Sequence, residues 1–137
     1  MSIDLMEVMD FFDSRGVGVI NASAVAMGML AGPSVPDWHI AGQAIKDAAM
    51  CAWEVCLQEG ENLTELAVQW VFAQARVTTT LMSIQTQEQM TANIRMAERM
   101  SDKDKVTSLM TNKALVKAKA IFDDLLSTDW DNLELAR

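Results

Sequence analysis

The 137-residue sequence predicts a helix-rich α/β fold, and three observations lead there. Short β-branched runs alternate with longer stretches of helical periodicity, the pattern of βα units with parallel strands. The first run, Val17 to Ile20, carries no charge, as in a strand covered on both faces. Capping residues stand where the periodic stretches begin, so strand and helix boundaries can be read directly.

In chain order, Leu5, Val8, Met9 and Phe12 recur at helical spacing, with Arg15 and Gly16 as a basic end and a stop. The Val17 to Ile20 strand follows, then a Gly- and Pro-containing loop from Ala31 to Asp37. Ile45, Ala48, Ala49, Ala52, Trp53 and Cys56 form a second apolar stripe that Gly60 ends. Asn62 is an N-cap with Glu65 three residues on, ahead of Leu63, Leu66, Ala67, Trp70 and Val71. Val77 to Met82 reads as a second strand. Thr86 with Gln89 makes a capping box for a helix carrying Met90, Ile94 and Ala97. One last helix is expected after Ser101, its apolar face running through Val106, Leu109, Met110, Leu115, Ala118, Ile121, Phe122 and Leu125. The methionines fall mostly at apolar periodic positions and read as flexible core filler.

The totals bound the function. A formal net charge of -8 disfavours nucleic acid and anionic membranes, which both need a basic face. No apolar run approaches the ~20 residues of a spanning helix, and the start lacks the features of a secretory leader. Cys51 and Cys56 are five apart on a predicted helix, a spacing that suggests neither a disulfide nor a metal site. Two free thiols fit a reducing, cytoplasmic setting. No metal ligand set is predicted.

Two parallel strands cannot by themselves satisfy their edges and faces, so the chain reads as part of a larger α/β protein. The residues then carry a resemblance. "GVGVINASAVAMGML" followed by "GPSVPDWHIA" resembles the seventh strand and following loop of aldo/keto reductases, most closely the L-galactose dehydrogenase-like branch. The matching residues are Ser23, Ala26, Met27, Gly28 and Leu30, then Gly32, Pro33, Trp38, His39 and Ala41. Ala24 and Val25 stand where that branch has Pro and Leu. "GENLTELAVQWVFAQARVTTTLMSIQTQEQMTANI" is similar to the family's next helix, eighth strand and cofactor-pocket helix, and "AIFDDLLSTDW" to the branch's closing helix. The resemblance runs from about Leu5 to Trp130.

It implies a partial TIM (β/α)8 barrel, with residues 1–137 as the C-terminal portion: the last two strands and the C-terminal helices. In such barrels phosphate is commonly held by the loops after strands seven and eight. The resemblance implies that Ser23, Val25 and Met27 line a dinucleotide's pyrophosphate. It sets Ser83, Ile84 and Gln85 beside the adenosine ribose, and Gln89 and Asn93, four apart on one helical face, against the adenine. No basic residue occurs from Ser83 to Asn93 and Glu88 adds a negative charge, so NAD is expected over NADP. Ser83 replaces a glycine common in the family. The loop of Trp38 and His39 is implied to cover the cofactor near the substrate, without making His39 catalytic.

The family transfers hydride between NAD(P) and a carbonyl or sugar hydroxyl, with a tyrosine as proton donor assisted by Lys, Asp and His from early strands. This chain has no tyrosine, and no segment matches those strands, so it is expected to be inactive alone, with no catalytic residue of its own. The cofactor and the sugar or carbonyl substrate then belong to a full-length parent. Met1 falls just ahead of a helix that belongs mid-barrel, so a truncated product or an incomplete gene is expected. The rival expectation is a catalytically inactive short form that pairs its exposed strand edges with another protein, even a full-length paralogue. A third is an independent, mostly helical domain with an inherited resemblance, which predicts a cooperative thermal transition. A partial barrel predicts a poorly cooperative one.

Overall fold

The computed structural model describes residues 5–126, and the side chains from Met9 to Asp123. The side chains of Leu5, Val8 and Leu125, and Trp130 as a whole, lie outside this description. Helix α1 (Leu5–Asp13) leads to strand β1 (Ile20–Ala22) and a 3-10 turn (Ala26–Gly28). Helices α2 (Gln43–Gln58) and α3 (Leu63–Phe72) precede strand β2 (Thr79–Leu81), and α4 (Gln87–Met100), α5 (Lys103–Met110) and α6 (Lys113–Leu126) complete the order.

Helix α1 stops because Gly16 takes a left-handed φ of +65° and Arg15 turns back to donate to the Phe11 carbonyl at 3.3 Å. Its side is tied to the chain before β2 by Arg76, whose guanidinium meets Asp10 at 2.6 Å and Asp13 at 2.7 Å. The predicted caps form. Asn62 Oδ1 accepts from the Glu65 amide at 3.2 Å, and Thr86 Oγ1 accepts from the Gln89 amide at 3.2 Å.

The core is helical. Ala52, Cys56, Leu63, Leu66, Met100, Leu109, Ala114, Leu115 and Ala118 form one buried cluster, bordered by Trp53, Trp70, Ile121 and Phe122. Alanines on the facing sides of α2 (Ala48, Ala49, Ala52) and α6 (Ala114, Ala118) let these two helices approach closely. Each fully buried Leu here contributes roughly 1.5–3 kcal/mol of transfer free energy. Salt bridges from Lys113 (3.2 Å) and Lys117 (2.6 Å) to Glu59 fasten the end of α2 to α6.

Two expectations are corrected. The single last helix is two, because Asn112 interrupts it: its Oδ1 accepts from the Leu115 amide at 3.0 Å while its Nδ2 donates to Glu61 at 2.8 Å. A side-chain cap competes with helix continuation at that point. The first strand also begins later than Val17, pairing with β2 in parallel from Ile20↔Thr79 to Ala22↔Leu81. It is not buried on both faces: Ile20 is 64% and Val17 48% exposed. Asn21 and Thr80 are half-buried while Ile20, Ala22, Thr79 and Leu81 are exposed, so one face of the pair is partly covered and the other is open.

Candidate functional site

Because β1 and β2 are parallel and in register, both strands release their chains at the same end, after Ala22 and Leu81. A cleft of about 1010 Å³ opens there. One wall is the turn after β1, with Ser23, Val25 and Met27; the opposite wall is the segment after β2, with Met82, Ser83 and Gln85. Gln89 and Asn93 enter from α4, Trp38 from the loop beyond the first turn, and Asn62, Thr64 and Glu65 from the start of α3. All the residues assigned to cofactor binding therefore meet at one cleft except Ile84, whose half-buried side chain does not line it.

The turn after β1 is strained. Ser23 (φ +63°), Ala26 (φ +48°) and Met27 (φ +55°) are left-handed without being glycine, at a cost of order 1–3 kcal/mol each. Backbone hydrogen bonds hold it: Ala26 N–H to Ser23 O (2.7 Å), Gly28 N–H to Val25 O (3.1 Å) and Met29 N–H to Ala26 O (3.1 Å). Thr64 Oγ1 donates to the Leu30 carbonyl at 2.8 Å, tying the turn to α3. Among the described residues, the amides of Ala24, Val25 and Met27 donate to none of the carbonyls of the turn. His39 is 8% exposed; its Nε2 lies 3.0 Å from the Ala26 carbonyl, and its Nδ1 accepts from the Ala41 amide at 3.1 Å. Trp38, its neighbour, is 66% exposed.

On the α4 side the capping box takes a variant form, with Gln89 Oε1 accepting from the Gln85 amide at 2.9 Å. Glu88 occupies the positive end of α4: its own backbone amide, then the Thr86 hydroxyl, hold its carboxyl below the ordinary glutamate range. Among the cleft-lining residues the one formally charged side chain is Glu65, and no Lys or Arg lines the cleft. Among the described residues no three His, Cys, Asp or Glu side chains cluster as metal ligands. Cys51 is exposed, and burial pushes the Cys56 thiol up, with a smaller contribution from Glu61.

Several lining residues escape a sequence reading. Ala92 and Met96 join Gln89 and Asn93 on one face of α4, a set the i+3, i+4, i+7 spacing contains. Met27, Met82 and Met96 line the cleft instead of filling the core, as expected of Met9 and Met100, which are buried. Glu65 and Trp53 carry no local signal of their role.

Among proteins of known activity, the chain is 28% identical over 126 residues to an L-galactose dehydrogenase of Arabidopsis thaliana, covering 92% of this chain. It spans 38% of the length of that relative. Residues 2–111 match the aldo/keto reductase family. The chain belongs to the aldo/keto reductase family.

Proposed function

We propose that the chain is the C-terminal portion of a (β/α)8 barrel and carries the dinucleotide side of a nicotinamide-dependent sugar or carbonyl oxidoreductase site. The observation that carries this reading is the convergence of Ser23, Val25, Met27, Ser83, Gln85, Gln89 and Asn93 on one cleft at the carboxyl ends of a parallel strand pair. That is where barrel enzymes bind ligands, with phosphate after the last two strands.

The residues present fit such a group. Among the described residues the amides of Ala24, Val25 and Met27 donate to no backbone carbonyl, which suits a diphosphate bound by backbone N–H groups. Ser83 and Gln85 suit ribose hydroxyls, and the carboxamides of Gln89 and Asn93 suit the hydrogen-bonding edge of adenine. A 2′-phosphate would find no Lys or Arg in the cleft lining, and the first turn of α4 beside Gln89 carries the negative Glu88. The reading is therefore NAD over NADP. When bound, a nicotinamide dinucleotide gives or accepts a hydride.

In this reading the chain's residues bind and orient, and the one formally charged side chain lining the cleft is Glu65. There is no tyrosine, and both ring nitrogens of His39 are engaged by backbone. Alone, the chain is proposed to be inactive, with the sugar or carbonyl chemistry resting on catalytic residues that this chain lacks. Its two free cysteines favour a cytoplasmic setting.

Calorimetric titration with NAD and with NADP tests the reading. NAD should bind saturably and more tightly than NADP, and Glu88→Lys should narrow that gap. Absence of NAD binding, or tighter NADP binding by the unaltered chain, would overturn it. A second reading is favoured by the exposure of Ile20 (64%) and Leu81 (59%) on the open strand pair. In it, a catalytically inactive short form pairs its strand edges with another protein, such as a full-length paralogue. Sedimentation of a mixture with a full-length family member would reveal the complex or its absence.

A further inference from the structure

We propose that His39 is a positioning residue that latches the left-handed turn after β1 into its cleft-lining form. The inference rests on the reading of that cleft as a dinucleotide site, but its structural half stands independently. His39 is the only histidine in the sequence and nine-tenths buried. Its two contacts ask for one tautomer. Nδ1 faces the Ala41 N–H at 3.1 Å, so it must present a lone pair. Nε2 faces the Ala26 carbonyl at 3.0 Å, which can only accept, so Nε2 must carry the proton. In this arrangement each ring nitrogen is used, Nδ1 as acceptor and Nε2 as donor.

The residue it holds is one of the three strained ones. Ala26 has φ +48°, with Met27 at +55° after it. A return of Ala26 to negative φ would swing the adjoining peptide planes and carry its carbonyl away from His39. The Ala26 carbonyl also accepts from the Met29 amide at 3.1 Å, so the imidazole completes a two-donor clamp on one oxygen. The loop bearing His39 is itself closed by the His39 N–H donating to the Pro36 carbonyl at 2.9 Å. A single latch thus joins two cleft walls: the turn of Ser23, Val25 and Met27, and the loop that presents Trp38. Preorganising a turn in this way removes an ordering cost from ligand binding.

Two substitutions divide the latch. In His39→Gln the terminal amide nitrogen takes the place of Nε2 and keeps the bond to Ala26. In His39→Asn the amide oxygen takes the place of Nδ1 and keeps only the bond to Ala41. Nitrogen NMR of the full chain should show one imidazole, protonated at Nε2 and bare at Nδ1. Amide exchange of Met29 and Leu30 should rise about tenfold in His39→Asn and stay within about threefold of the parent in His39→Gln, the order of one hydrogen bond. NAD affinity should fall in the same pattern.

An Nδ1–H tautomer or a charged ring at neutral pH would overturn the latch. Equal exchange in all three chains, or equal loosening in both variants, would overturn it too, the latter by showing that the ring merely fills space. Unchanged NAD affinity in His39→Asn would remove the positioning role. If the parent binds no NAD, the dinucleotide reading fails, while tautomer and exchange still decide the latch. Should His39→Asn not fold, the parent tautomer and His39→Gln decide it.

Discussion

Gly18 lies just before the strand pair, and replacing it tests how closely the chain before β1 approaches the chain before β2. A Cβ added there would stand 2.9 Å from Thr78 Oγ1, about half an ångström inside a comfortable contact. Its φ is not left-handed, so alanine is refused by the neighbour and not by its own backbone. Thr78 cannot turn away freely, because its Oγ1 accepts from the Val19 amide at 3.0 Å. Overpacking of this kind costs about 1–3 kcal/mol, offset by about 0.4–1 kcal/mol from the stiffer unfolded chain. Gly18→Ala should therefore destabilise the strand pair by about 1–2 kcal/mol, a rise of about 5- to 30-fold in the opening equilibrium at tenfold per 1.4 kcal/mol. Hydrogen exchange at the Val19 and Thr79 amides reads this locally. In a Thr78→Ala background the obstacle is gone, and Gly18→Ala should be neutral or slightly stabilising. If Gly18→Ala costs the same in both backgrounds, the close approach is not the cause and the reasoning fails.

Three further outcomes are expected. Asn112→Ala removes the cap of α6 and should lower stability by about 1 kcal/mol in urea unfolding, with Asn112→Ser recovering part of it. Glu59 is held below its ordinary pKa by its hydrogen bonds to Lys117 and Lys113. The stability it supplies is complete above the unfolded value of 4.5 and lost as pH falls through the lower folded value. Melts across the acid range should therefore show a loss that Glu59→Gln flattens. Arg76→Met removes both ion pairs to α1, so α1 amides should exchange faster, and the difference should shrink in high salt.

What could be read from the sequence follows a physical division. Asn62 and Thr86 cap where they were expected because capping is local: a side-chain oxygen and an amide two or three residues away. Asn112 has the same chemistry, yet the apolar stripe runs straight past it through Leu109 and Leu115. Periodicity reports which face is buried and is blind to a break that keeps that face in line. The β-branched run from Val17 has the composition of a doubly covered strand, but burial depends on neighbours that the run itself cannot specify. The site divides similarly. Gln89 and Asn93 were recoverable from spacing and resemblance, whereas the left-handed turn is built from Ser23, Ala26 and Met27, none of them a residue that announces positive φ. Glu65 reaches the cleft only because α3 begins beside it, a tertiary fact.

The parallel pairing of β1 with β2 also has a kinetic side. The bond from Val19 to Thr78 joins residues 59 positions apart, and α2 and α3 lie in the span between them. Closing so long a loop is entropically costly until the intervening helices have compacted it. The helical core is therefore expected to form first and the strand register last. Since the cleft opens where the two strands end, it would be the last part of the molecule to be completed and the first to be lost. A ligand held there would stabilise the late step selectively, slowing loss of the strand pair more than it changes the persistence of the core.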